Sequence, residues 1–168
     1  LWGLDRLGAE AAALAAEIAA GVTEHGVRDG HYLYEVDGLG GRLFMDDANM
    51  PSLLSLPLTS DVAGDDPLYL ETRRRVLSPE NPFYYRGTAA RGIGSPHTPP
   101  HYVWHIGLAV QGLTGGTDEA HACLETILAT DGGTGWTHEG FHVDDPARFT
   151  RPWFSWSNSM ACELMMSL

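Results

Sequence analysis

Apolar positions at Leu7, Leu14, Ile18 and Val22 fall on one helical face of residues 5–23. Alanines fill much of the remainder and His25-Gly26 stops the run, a pattern that predicts an amphipathic helix. Tyr32, Tyr34 and Val36 then alternate with their neighbours before a glycine turn at 38–41. Leu43, Phe44 and Met45 follow, which predicts a β-hairpin. Residues 51–56 and 66–77 read as short helices, the second carrying Arg73, Arg74 and Arg75. From 78 to 100 no period holds. Pro, Gly, Tyr and Arg crowd a predicted long loop, and loops of that length inside a domain are usually functional. Helical spacing returns at 102–113 and 118–130, a predicted pair joined by Thr114-Gly115-Gly116-Thr117. The last helix is predicted from about residue 152 to 168. Apart from Asn158 and Glu163 it is apolar or small nearly all round, which predicts burial.

The stretch 138–156 carries two histidines, Glu139, Asp144, Asp145, Arg148, Arg151, Trp153 and Trp156. Gly132, Gly133 and Gly135 lead into it and Gly140, Pro146 and Pro152 interrupt it, so it is predicted to be mostly loop. Ionisable groups interleaved with large rings are what a polar-ligand site needs. The order is helix, loop, helix, with the chemically informative residues in the loops. That layout predicts an all-α fold, a toroid of paired helices with a small β-hairpin on the rim where the loops form a pocket.

The length, 168 residues, suits about one domain with a real core. The formal net charge is −12, and all ten cationic side chains are arginine. This balance disfavours nucleic acid or an anionic membrane as partner, since both need clustered cations. Cys123 and Cys162 lie in apolar helical patterns and are expected to be buried free thiols, forming neither a disulfide nor a thiolate metal site. No run is long and apolar enough to cross a bilayer. No signal peptide is visible, so a cytoplasmic location is expected, with secretion left open because the chain begins at Leu1 and reads as part of a longer protein.

His138-Glu139-Gly140-Phe141-His142 matches the H-E-x-x-H zinc-hydrolase pattern. That chemistry needs both histidines on one face of a helix, and the flanking glycines and Asp144-Asp145-Pro146 argue against the helix. A metal-free alternative uses two carboxyl groups, one protonated and one ionised. In an inverting glycosidase they stand roughly 6.5–9.5 Å apart to admit a water. Glu139 and the pair Asp46-Asp47 are the candidates, though Asp46-Asp47 reads equally as an N-terminal helix cap. Ser95-Pro96-His97-Thr98 and Trp104-His105 offer further polar groups beside a ring. Trp136, Trp153 and Trp156 suit the apolar face of a pyranose or, equally, a core. Asn158 reads as a ligand contact or a helix-surface residue.

Five segments then carry a resemblance: YEVDGLGGRLFMDDANMPSLLSLP, RRVLSPENPFYYRG, RGIGSPHTP, VWHIGLAVQGL and HEGFHVDDPARFTRPWFSWSN. In order and spacing, from about residue 34 to 163, they resemble the metal-independent exo-α-1,6-mannosidases of glycoside hydrolase family 125. The resemblance implies an (α/α)6 toroid, an inverting mechanism without metal or other cofactor, and release of mannose from non-reducing α-1,6 ends. The partner is then a mannose-containing oligosaccharide or glycan. In the family pattern the glutamate of the H-E-S/G-F segment is the general base, which falls on Glu139. Asp46, Asp47, His97, His105, His138, Arg151 and Trp153 are the substrate-binding candidates. The family's general acid is an aspartate in an F-R-P-S-D-D-A segment upstream, and no such segment occurs in these residues. Residues 1–168 are therefore expected to be the C-terminal part of a single catalytic domain, inactive on its own and either self-associating or unfolding at low denaturant. A zinc hydrolase using His138, Glu139 and His142, and a non-catalytic sugar-binding fragment, are the competing readings.

Overall fold

The computed structural model describes residues 4–168, so the first three residues of the expected 1–168 domain lie outside the described part. Among the described residues are six α-helices and nine short strands. The predicted first helix forms as α1 (Leu4–His25), but none of its residues is buried, and Leu4, Leu7, Leu14, Ile18 and Val22 are 46–59% exposed. The predicted hairpin is two ribbons. β1 (Val27–Arg28) pairs with β2 (His31–Tyr32), and β3 (Glu35–Val36) with β4 (Arg42–Leu43). Tyr32 and Val36 therefore belong to different ribbons, because Asp29-Gly30 makes a turn of its own. In the second ribbon Asp37 accepts the N–H groups of Leu39 and Gly41 at 2.7 and 2.8 Å, and these bonds hold its carboxyl below the usual range.

Residues 51–56 form no helix of their own. The helical turn there is the four-residue α2 (Leu56–Thr59). The next helix, α3 (Pro67–Val76), matches its expected span because its ends are written locally. Asp66 accepts the N–H groups of Leu68 and Tyr69, Pro67 fills the first turn, and three arginines close the last. Tyr69 and Thr72 on its buried face reach outward: the Tyr69 hydroxyl donates to the Leu54 carbonyl, and Thr72 accepts the Tyr32 N–H. The stretch 78–100 is not one loop, since β5 (Tyr84–Arg86) and β6 (Arg91–Ile93) pair within it.

The central helix is α4 (His105–Leu113), with His105–Val110 and Gly112 buried. It separates two apolar clusters. On one side Leu108 and Ala109 meet Ile127 and Cys123 of α5 (Thr117–Ala129), Ala161 and Leu164 of α6 (Ser155–Ser167), and Phe141. On the other, Ile106 and Val110 meet Leu53, Leu54, Val76, Ile93 and Trp104. Gly112 is required where α4 meets α6, because a Cβ there would come within 2.8 Å of Leu164.

The expectation for 138–156 is overturned. β7 (Tyr102–Val103), β8 (Gly140–His142) and β9 (Asp145–Thr150) form a three-stranded antiparallel sheet that runs through it. The all-α expectation is thus incomplete: helices predominate, and four small antiparallel sheets hold what the sequence presents as loops. The last helix is also less buried than expected. Ser157, Ala161 and Leu164 form its buried stripe, while Met165, Met166 and Leu168 are exposed. Cys162 lies on that outer face and is exposed, contrary to expectation; Cys123 is buried, and burial pushes its thiol up to about 12. No helix among the described residues is long and apolar enough to cross a membrane.

Candidate active site

The β8–β9 register pairs Gly140 with Thr150, so Glu139 and Arg151 face each other one step beyond the ladder. Glu139 holds its side chain at 12% exposure with one carboxylate oxygen 3.1 Å from Arg151 Nε. Among the described residues it takes no hydrogen bond, so lone pairs remain for a water. Arg151 has a backbone φ of 46°, a left-handed conformation that is costly for a side chain of this size. Its guanidinium carbon lies 5.2 Å from the centroid of Phe154, within cation–π range.

Rings line the neighbourhood. Gly140 lets the Trp104 indole approach the backbone beside Glu139, since a Cβ there would sit 3.0 Å from the indole. Trp104 meets Phe154 edge to face at 6.2 Å, and Phe154 meets Trp156 at the same distance. The Trp104 indole N–H donates to Thr98 Oγ1 at 2.9 Å, which brings the turn at 95–98 to this face. In that turn Ser95 Oγ accepts the His97 N–H at 3.1 Å and His97 is exposed. Trp153 is also exposed.

Three substrate-binding candidates are instead part of the frame. Asp46 is fully buried and accepts the N–H groups of Leu53 and Leu54 at 2.8 and 3.0 Å. Burial pushes its carboxyl up to about 7 against those bonds, which favour the ionised form. His105 is fully buried at the start of α4. Its Nδ1 accepts the His138 N–H at 2.8 Å, and burial lowers it to about 3, helped by the nearby His138. His138 is fully buried, with both ring nitrogens on main-chain carbonyls. None of the three presents an atom to a ligand. Asp47 differs from its neighbour in keeping slight exposure, with Asn49 as partner for its carboxylate.

The zinc reading fails on geometry. Residues 138–142 run into a strand, not a helix. The His138 ring stacks on Phe149 at 3.8 Å with both nitrogens engaged, while the His142 ring meets Tyr102 edge-on at 5.7 Å and its Nδ1 accepts the Asp144 N–H. Neither imidazole offers a lone pair to a shared point. No group of three or more His, Cys, Asp or Glu side chains among the described residues could hold a metal ion.

A cleft of about 590 Å³ lies elsewhere, between the β5–β6 turn and the α4–α5 pair, lined by Arg86, Thr88, Arg91, Gln111, Glu119 and Cys123. Sequence reasoning overlooked Phe154 and Phe149. Both look like ordinary core residues, and only the sheet pairing shows one under Arg151 and the other under His138. Asn158 proves structural: Oδ1 accepts the Thr137 N–H and Nδ2 donates to the Phe154 carbonyl.

The site is a partly buried carboxylate near aromatic rings on a mainly helical frame, and comparison with known proteins gives the family. The profile of the metal-independent alpha-mannosidases (GH125) matches residues 3–166. The chain belongs to this family. It is 46% identical over 159 residues to the Meiotically up-regulated gene 157 protein of Schizosaccharomyces pombe, covering 90% of this chain and 31% of that one. A metal-independent alpha mannosidase of Streptococcus pneumoniae, solved in a non-productive substrate complex with alpha-1,6-mannobiose, superposes with a TM-score of 0.94 at 44% identity, covering 99% of this chain and 41% of that one. The chain thus spans about a third of the curated relative and two fifths of the solved one.

Proposed function

We propose that the complete protein hydrolyses α-1,6-linked mannose from non-reducing ends with inversion and without metal, and that Glu139 is its general base. The observation that carries this reading is the setting of Glu139. It is a carboxylate anchored by Arg151 on one oxygen and free of hydrogen bonds among the described residues, and its Arg151 partner lies over Phe154, whose ring in turn meets the part-exposed Trp156. An ionised carboxylate so held can take the proton of a water attacking the anomeric carbon, while flat rings receive the apolar face of the sugar. Arg151, Trp153 and His97, which are exposed, remain the substrate-binding candidates, with Asp47 a weaker one at 4% exposure. The likeness to a solved mannosidase holding alpha-1,6-mannobiose supports that disaccharide as the first substrate to try. The general acid belongs to the part of the domain outside this chain, and residues 1–168 form the C-terminal part of an (α/α)6 toroid in which α4, α5 and α6 are wall helices.

The test is α-1,6-mannobiose with the full-length protein, following the product by proton NMR. Release of β-mannose first means inversion; α-mannose first refutes it, and no release refutes the substrate. Dialysis against a chelator should leave turnover unchanged, whereas loss restored by zinc would favour the metal reading.

A further inference from the structure

Both ring nitrogens of His138 lie 2.9 Å from main-chain carbonyl oxygens, Nδ1 from Pro152 and Nε2 from Asp131. A neutral imidazole has one N–H, so one of these contacts would oppose two lone pairs, whereas a doubly protonated ring donates to both. The ring lies flat on Phe149, 7° from parallel, where an aromatic face attracts a cation. His105 supplies the contrast. Its Nδ1 accepts a main-chain N–H, and its Nε2 donates to Thr130 Oγ1, whose own hydroxyl donates to the Thr126 carbonyl. That arrangement requires a neutral ring.

The two carbonyls belong to the segments that flank Glu139. Asp131 opens the glycine turn leading to Trp136, and Pro152 sits between Arg151, the ion-pair partner of Glu139, and Trp153. We propose that His138 is a positioning residue for Glu139, donating from both ring nitrogens to lock the Asp131 and Pro152 turns and so aim Arg151 and the adjoining tryptophans. It acts from within the core and touches no substrate. The titratable groups around it are His105 on α4 and Asp131 after α5, with Glu139 its chain neighbour and Arg148 and Arg151 on the β9 side. The Asp131 carboxylate is turned to the N–H groups of Gly133 and Gly135 at 2.8 and 2.9 Å, so the strut rests on carbonyls and the Phe149 ring rather than on a salt bridge.

This role rests on Glu139 being the base, and the experiment separates the two. In the full-length protein, His138→Phe keeps a flat ring over Phe149 and removes both donors. On α-1,6-mannobiose kcat should fall about 10–100-fold with KM little changed, the size of effect expected when a catalytic group is slightly misplaced. In a Glu139→Gln background the same change should add little, because residues acting through one another are not additive. Losses that multiply in the double variant, or a change confined to KM, overturn the proposal. Near-normal turnover of Glu139→Gln alone overturns the base instead. Should His138→Phe fail to fold, His138→Asn, which keeps one donor, must give an intermediate kcat. Nitrogen NMR of the wild-type ring should find both nitrogens acting as hydrogen-bond donors, and one bare nitrogen sinks the idea whatever the variants do.

Discussion

Arg151 reaches across the end of the β8–β9 ladder to stand 3.1 Å from Glu139, while its guanidinium also lies over the Phe154 ring. The register brings the two segments together, since Gly140 pairs with Thr150 and Glu139 and Arg151 are the residues next beyond that pair.

Glu139→Gln keeps the shape and removes the base. Turnover of α-1,6-mannobiose by the full-length protein should drop about 10²–10⁴-fold, the usual contribution of general base catalysis. Steady-state rates decide it, and near-full activity would show that the base lies elsewhere.

Arg151 is 61% exposed at its side chain, so its ion pair adds little to stability, but its left-handed backbone matters. Arg151→Gly should fold at least as well as wild type. Arg151→Val, β-branched at the same φ, should lose about 1–2 kcal/mol. Urea midpoints for the pair test this, and equal midpoints would contradict the strain.

Asp46 gives stability a pH dependence. Its folded value is about 7 against an ordinary 3.8, because burial outweighs its two N–H bonds. Between those values the folded chain holds a proton that the unfolded chain has released. The favourable difference is therefore complete below about pH 4 and is lost as pH rises to about 7. Asp46→Asn removes the titration, so its stability should fall less steeply across that range; parallel curves for the two proteins would rule this out.

Leu164 is fully buried between α6 and α4 and closes on Gly112. Leu164→Ala should destabilise by about 2–5 kcal/mol through lost burial and a cavity. Gly112→Ala should also destabilise, by overpacking, at about 1–3 kcal/mol. Opposite faults at one contact should partly cancel in the double variant, which denaturant unfolding can measure.

The apolar face of α1 has no cover among the described residues. An apolar patch of this kind favours association, so the 168-residue chain alone should sediment as more than a monomer. Leu14→Glu with Ile18→Glu should shift it towards the monomer, and a monodisperse wild-type monomer would contradict the expectation.

Local chemistry determined more of this protein than long-range pairing could. The span of α3 was readable because Asp66, Pro67 and the closing arginines mark its ends, and α4 and α5 because apolar spacing and the Thr114–Thr117 turn sit within a few residues of each other. The family, and Glu139 as its candidate base, were likewise written in contiguous segments. The strand character of 140–150 was not: β8 finds its partner β7 almost forty residues earlier, and glycines and prolines mask any alternation. Only tertiary structure decided which polar residues are buried in the frame. His138, His105 and Asp46 look like site residues in the sequence, yet all three are fully buried and bound to main-chain groups. A side chain's surroundings come from segments far away in the chain, and burial of a polar group is settled by the hydrogen bonds those segments bring to it.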